Sequence, residues 1–233
     1  MYNLLISIGV GVAVTALIGG FFGSVWYGLI PGIIGFGVAY VILARRTMKQ
    51  VQAVSQRAQQ HFQAQNIDRG IEVLEADAYP LSKWQFFVEA QIRAQIGRIL
   101  YMARRFDDAE HHLREGFKKD WVARGMLGAL YYKRGKHDEM KKVFEEAVAG
   151  NKKKSLLWNL YAYCLWKSGD RDEAIDVLNR ALDKMGDDKN TEKNLNRLKN
   201  GRSMKMRRWN NQWYQFHLDA PPAQRHQPQF RRF

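Results

Sequence analysis

Apolar and small residues run without a charge over positions 4–22 and again over 25–43, with only Gly23 and Ser24 between them. At 1.5 Å rise, each run forms a helix of roughly 28 Å, about the thickness of a hydrocarbon core. The short break leaves room for a tight turn and nothing more. The pattern therefore predicts a two-helix transmembrane hairpin over residues 1–44. Beyond it, apolar positions recur at amphipathic helical spacing. The expected fold class is all-α.

Charge sharpens this division. The chain carries a formal net charge of +14 and a pI near 9.9, yet residues 1–44 contain no Asp, Glu, Lys or Arg. Arg45, Arg46 and Lys49 follow at once, and the first acid is Asp68. The positive-inside rule places this end in the cytoplasm, and a hairpin returns the N-terminus to the same side. Trp26 and Tyr27 lie beside the turn, where amphipathic rings favour the headgroup level. The expectation is an integral protein of a bacterial inner membrane, with two spans and the remainder cytoplasmic. A cleavable signal over residues 1–23 is disfavoured, because the basic leading region is missing and the apolar stretch is long. Gly19/Gly23 and Gly28/Gly32 are small-xxx-small pairs that let helix backbones approach in lipid. They suit packing within the hairpin and docking of a partner's spans alike. With no ionisable side chain in either run, a transporter or proton path is not expected.

The residues after a basic juxtamembrane segment (45–57) show an internal period. Residues 95–109, 126–140 and 160–174 align on Gly97, Gly128 and Ala162. Each carries a small residue, a turn, and the start of a second helix. Gly135 and Gly169 occupy the same turn 34 residues apart. Trp158, Tyr161, Ala162, Leu165, Ala174, Leu178 and Ala181 make up the last repeat; Leu127, Gly128, Tyr131, Phe144 and Ala147 the middle one; Ile96, Gly97, Leu100, Ala109 and Leu113 the first clear one. On these residues the chain resembles the tetratricopeptide repeat family. It departs from the family pattern at Gly116, where alanine is usual. A degenerate repeat with Ala58, His61, Gly70, Leu74 and Pro80 precedes. The resemblance covers residues 50–188 and implies an α-solenoid of three to four repeats, followed by a polar-backed capping helix over 189–201.

The resemblance also implies a protein-binding groove lined by each first helix. Carried over in register, it takes Gln91, Ala94, Arg98 and Tyr101, then Tyr132, then Asn159, Tyr163 and Trp166. Several of these aromatics suit packing between repeats equally well. The Lys/Asn set with which some members hold a C-terminal carboxylate is not present.

Residues 202–233 form a basic aromatic tail: seven Arg and Lys residues are opposed by Asp219 alone. Met206, Trp209, Trp213 and Phe216 recur as one helical face. That face suits docking on the repeats, on a partner subunit, or on anionic lipid. Nothing in the chain spells a phosphate loop, a nucleophile elbow or a dinucleotide motif. Adjacent His111 and His112 point apart on a helix, and the single Cys164 forms no internal disulfide. We expect no catalytic or metal residues and no cofactor. The expected function is a non-enzymatic membrane-anchored scaffold or adaptor, an accessory or assembly subunit of a larger membrane complex. Its expected partners are membrane complex subunits, a cytoplasmic protein or peptide, and membrane lipid. Nucleic acid is not an expected partner. The alternative is a membrane-tethered module that binds nucleic acid or ribosomes through its basic surface.

Overall fold

The computed structural model describes residues 1–221, and helices are the only regular elements among them. The chain divides into two compact units, Met1–Leu100 with Asp107–Asp120, and Tyr101–Phe106 with residues from 121 onward.

In the first unit, α1 (Tyr2–Phe21) and α2 (Val25–Gln63) pack antiparallel. Gly23 turns the chain at φ +69°, a conformation that glycine adopts without strain. A Cβ at Gly28 would collide with the carbonyl oxygen of Thr15, and one at Gly32 with the Thr15 hydroxyl. At Gly19 it would lie 3.1 Å from the Val25 Cα. These glycines therefore serve the contact between the two helices themselves. Both helices are long and apolar enough to cross a membrane. Only 17% and 11% of their most apolar windows are buried, whereas the core helix of a soluble protein would be mostly covered. They are consistent with a membrane anchor.

The second helix does not stop at the charges. It has 39 residues, roughly 58 Å, and runs through Arg45, Arg46 and Lys49. Its far end pairs with α3 (Ile67–Val73): Gly70 lies under the Phe62 ring, and Ala58 and Leu74 are fully buried. A π turn (Leu74–Ala78) and a 3-10 turn (Tyr79–Lys83) lead to α4 (Val88–Met102) and α5 (Phe106–Glu115). There a Cβ on Gly97 would sit 2.9 Å from Leu113. A Cβ on Gly116 would sit 3.0 Å from the Ala94 Cα, so the departure from alanine permits a closer backbone approach.

The second unit contains α6 (Trp121–Lys133), α7 (His137–Gly150), α8 (Ser155–Lys167), α9 (Arg171–Met185) and α10 (Lys189–Lys199). The helices pair as α6 with α7 and α8 with α9, and α10 packs on α9 and α8. A Cβ on Gly128 would meet the Phe144 ring at 2.5 Å. Phe144 stacks on Tyr161 at 5.0 Å between centroids, which ties one pair to the next. Gly135 and Gly169 close their turns at φ +68° and +100°. The equivalent position after Gly97 is Arg104, at φ +61°. A non-glycine residue gives up roughly 1–2 kcal/mol there, so the first clear repeat keeps the turn without the residue that favours it. Asp188 caps α10 by accepting from the Thr191 amide at 2.8 Å, and Leu195 and Leu198 are buried.

The expected single helical face of the tail is broken. Met206–Trp209 is a 3-10 turn and Asn211–Tyr214 (α11) a single helical turn, with Asn210 between them at φ +46°. Met206, Trp213 and Phe216 nevertheless end up buried, while Trp209 is only half-buried. The stripe is satisfied by two short turns with a kink. Residues 225–233, which hold the last three arginines, lie outside the described residues.

Candidate protein-binding face

A buried polar network supports the face of the second unit between α8 and α10. The Asn159 amide donates to the Ser155 carbonyl at 2.9 Å and to the Thr191 hydroxyl at 2.7 Å. Its oxygen accepts from Asn194 at 2.9 Å. Ser155 and Thr191 hydroxyls both donate to Asp188. Burial pulls the Asp188 carboxyl upward, but these hydrogen bonds outweigh it and hold the group below its ordinary range. Asn159 is thus committed within the repeats. Asn194 passes the network on, accepting from the Lys205 amide at 2.9 Å, where the tail begins to pack.

The tail then covers first-helix residues. Trp213 is fully buried and meets Tyr163 edge-on, 4.8 Å between centroids. The fully buried Phe216 lies where Gly125 leaves room: a Cβ there would sit 3.0 Å from its ring. Its carbonyl accepts from the Tyr101 hydroxyl at 2.6 Å. Asp219 receives two donors at once, the Tyr163 hydroxyl at 3.0 Å and the Trp213 indole at 2.8 Å. Burial, reinforced by that carboxylate, pushes the Tyr163 phenol up, and burial does the same to Tyr101. His217 is tilted against Tyr101 at 5.7 Å. The Lys133 ammonium lies 4.5 Å over the Phe106 ring and 5.2 Å over Tyr101. Although Lys133 is exposed overall, desolvation of that end and the nearby Arg104 push it down to about 8.

Of the residues expected in a groove, Tyr101, Asn159 and Tyr163 are buried, the first and last under the tail. Tyr132 and Trp166 remain half-buried, and Trp166 packs edge-on against Tyr163 at 5.7 Å. Gln91 and Arg98 belong to the first unit, where with Gln52, Ser55, Gln95 and Asp120 they line a cleft of about 390 Å³. Arg98 pairs there with Asp120 at 3.4 Å. Gly125, Lys133, His217 and Asp219 also shape the covered face, although the repeat register does not single them out. Asp219 carried a readable signal, being the lone acid in a strongly basic tail. Among the described residues, no three His, Cys, Asp or Glu side chains converge as a metal site would require.

Residues 131–190 match the tetratricopeptide repeat family. The match runs from the end of α6 into α10, through the helix pairs just described. No curated protein and no solved structure matches the chain. Tetratricopeptide repeats point to protein–protein interaction, and the covered first-helix face is where the repeats of this chain offer aromatic and polar groups together.

Docking of the tail on this face should depend on pH. Burial, with the cations Lys133 and Arg104 nearby, lowers the His217 pKa. A histidine lowered in the docked state adds stability above its ordinary pKa of about 6.5 and loses it as pH falls below that value. Protection of residues 204–219 from hydrogen exchange should therefore drop between pH 7.5 and pH 5.5. His217→Gln should flatten the drop, and an equal loss in that variant would place the titration elsewhere.

Proposed function

We propose that this chain is a non-enzymatic, membrane-anchored tetratricopeptide scaffold, an accessory or assembly subunit of a larger membrane complex. The hairpin holds it in the cytoplasmic membrane, and the repeats and tail bind a protein partner on the cytoplasmic side. The observation that carries this reading is the first-helix face of the second unit. An aromatic segment, Trp213 to Asp219, already sits there with its rings buried and its polar groups paired. A face that holds such a segment in cis has the chemistry to hold one in trans. Tyr132 and Trp166, half-buried at present, are the residues left for a partner's first contact.

The test is capture of co-extracted membrane subunits by the full chain in mild detergent. Tyr132→Ala or Trp166→Ala should weaken capture by tenfold or more, the scale of one interface aromatic, while shifting melting little. A steep fall in melting with unchanged capture by the folded fraction would make both residues structural. Rising salt separates the rival reading, because phosphate binding collapses between 50 and 200 mM salt. The orientation follows from charge beginning at Arg45. A reporter active only outside the cytoplasm, fused after Phe233, should stay silent, and strong activity would reverse the topology.

A further inference from the structure

We propose that residues 84–87 of the first unit form a second, non-spanning contact with the membrane, a Trp-Gln-Phe-Phe edge seated among lipid headgroups beside the open end of the hairpin. The inference rests on the reading of α1 and α2 as membrane spans.

Three observations carry it. The first is exposure. Trp84 is 42% exposed, Phe86 36% and Phe87 65%, on a unit whose repeat helices bury their own large apolar residues. Such a cluster is poorly suited to water. Phe87 is also held at φ +64°, an unfavourable conformation for a bulky residue.

The second is depth. The Asn3 amide donates to the Trp84 carbonyl at 3.2 Å, and Trp84 packs edge-on against Tyr2, 5.3 Å between centroids. Asn3 is at the opening of α1, and its side chain donates to Thr47 at 2.9 Å and to Gln85 at 3.2 Å. Gln85 in turn donates to the Tyr40 hydroxyl at 2.9 Å. The segment is thus stapled to both helices between Tyr40 and Thr47, where the apolar run ends and Arg45 and Arg46 begin. That level is the lipid–water boundary, at which Trp and Tyr rings concentrate.

The third is charge. Lys83 precedes the edge, and Arg45, Arg46 and Lys49 share its level on α2. Glu89 and Glu115 are the nearby acids, and both are paired with Arg93, at 2.9 and 3.0 Å. Aromatic rings flanked by cations match anionic headgroups over an acyl boundary. The edge continues the exposed apolar surface of the hairpin at the level where its charges begin, so lipid is the occupant.

The test uses full-length protein reconstituted in phosphatidylcholine/phosphatidylglycerol vesicles. A thiol-reactive environment-sensitive dye is placed at Phe87→Cys and, in a second variant, at Phe86→Cys. Cys164 is fully buried and stays unlabelled in the folded chain. Lipids brominated near the headgroup quench by contact. A dye at Ile30→Cys reports the span, and one at Lys142→Cys reports water. Dyes at 86 or 87 should be blue-shifted and quenched at least threefold more than the dye at 142. If they match the dye at 142 while the dye at 30 is quenched, the aromatic edge is not in lipid although the anchor stands. If the dye at 30 is also unquenched, the membrane reading fails and this inference falls with it.

Discussion

Trp213→Ala releases residues 204–219 to protease at a rate at which the wild-type tail remains intact. Trp213 is fully buried, and its ring meets Tyr163 while its indole holds Asp219. Deleting a buried tryptophan ring removes about 3–5 kcal/mol. The hydrogen bonds that remain, from Tyr101 to the Phe216 carbonyl, from Tyr163 to Asp219 and from the Lys205 amide to Asn194, contribute only about 0.5–1.5 kcal/mol each. They do not hold the segment alone. The repeats stay folded, because Leu127, Phe144, Leu157 and Leu178 are buried within the helix pairs. Trp209→Ala is the internal control, since its ring is half-buried and its loss should leave the tail protected. Limited proteolysis with melting of the repeat region reads both results. Equal protection in the two variants would show that the Trp213 ring does not hold the tail in place.

Gly28→Leu forces the hairpin apart. The new Cβ would collide with the Thr15 carbonyl oxygen and lie 2.9 Å from the Gly19 nitrogen. Those are backbone atoms, so no rotamer change relieves the clash and the helices must separate. Overpacking usually destabilises by about 1–3 kcal/mol, and a backbone obstruction belongs at the upper end. Gly9→Leu is the matched control, because nothing lies within 4 Å of a Cβ there. Spin labels on the exposed Val12 and Val38 should show a longer and broader distance distribution for Gly28→Leu alone. An unchanged distribution would mean that the close approach of α1 and α2 does not hold in lipid.

Much of this architecture was legible because it is local. Uncharged runs bracketing Gly23 spell two helices long and apolar enough to cross a membrane, and a turn between them. Small residues at Gly97, Gly128 and Ala162 with glycine at 135 and 169 spell helix pairs, since helices approach most closely where the side chains between them are small. The site was harder to read because its parts converge from afar: Tyr101, Gly125 and Tyr163 come from three separate helices to meet the tail. The spacing of Met206, Trp209, Trp213 and Phe216 fits a helix, but the same eleven residues also fit two turns broken at Asn210, and only contact with Tyr163 and Gly125 decides between them. Asn159 illustrates the opposite failure. Its register placed it toward a partner, whereas a side chain with two donors and an acceptor was drawn into the network with Thr191 and Asn194.

The continuity of α2 has a mechanical consequence. Between Leu43 and Val51 the helix contains no glycine and no proline, and it stays continuous although the Thr47 hydroxyl donates to the Leu43 carbonyl at 3.1 Å. The turns that bear Tyr40 and Thr47 are therefore continuous with those that bear Val51, Val54 and Ala58, like two cams on one shaft. A rotation of the helix at Tyr40 is thus carried along an unbroken backbone to the segment that packs against α3.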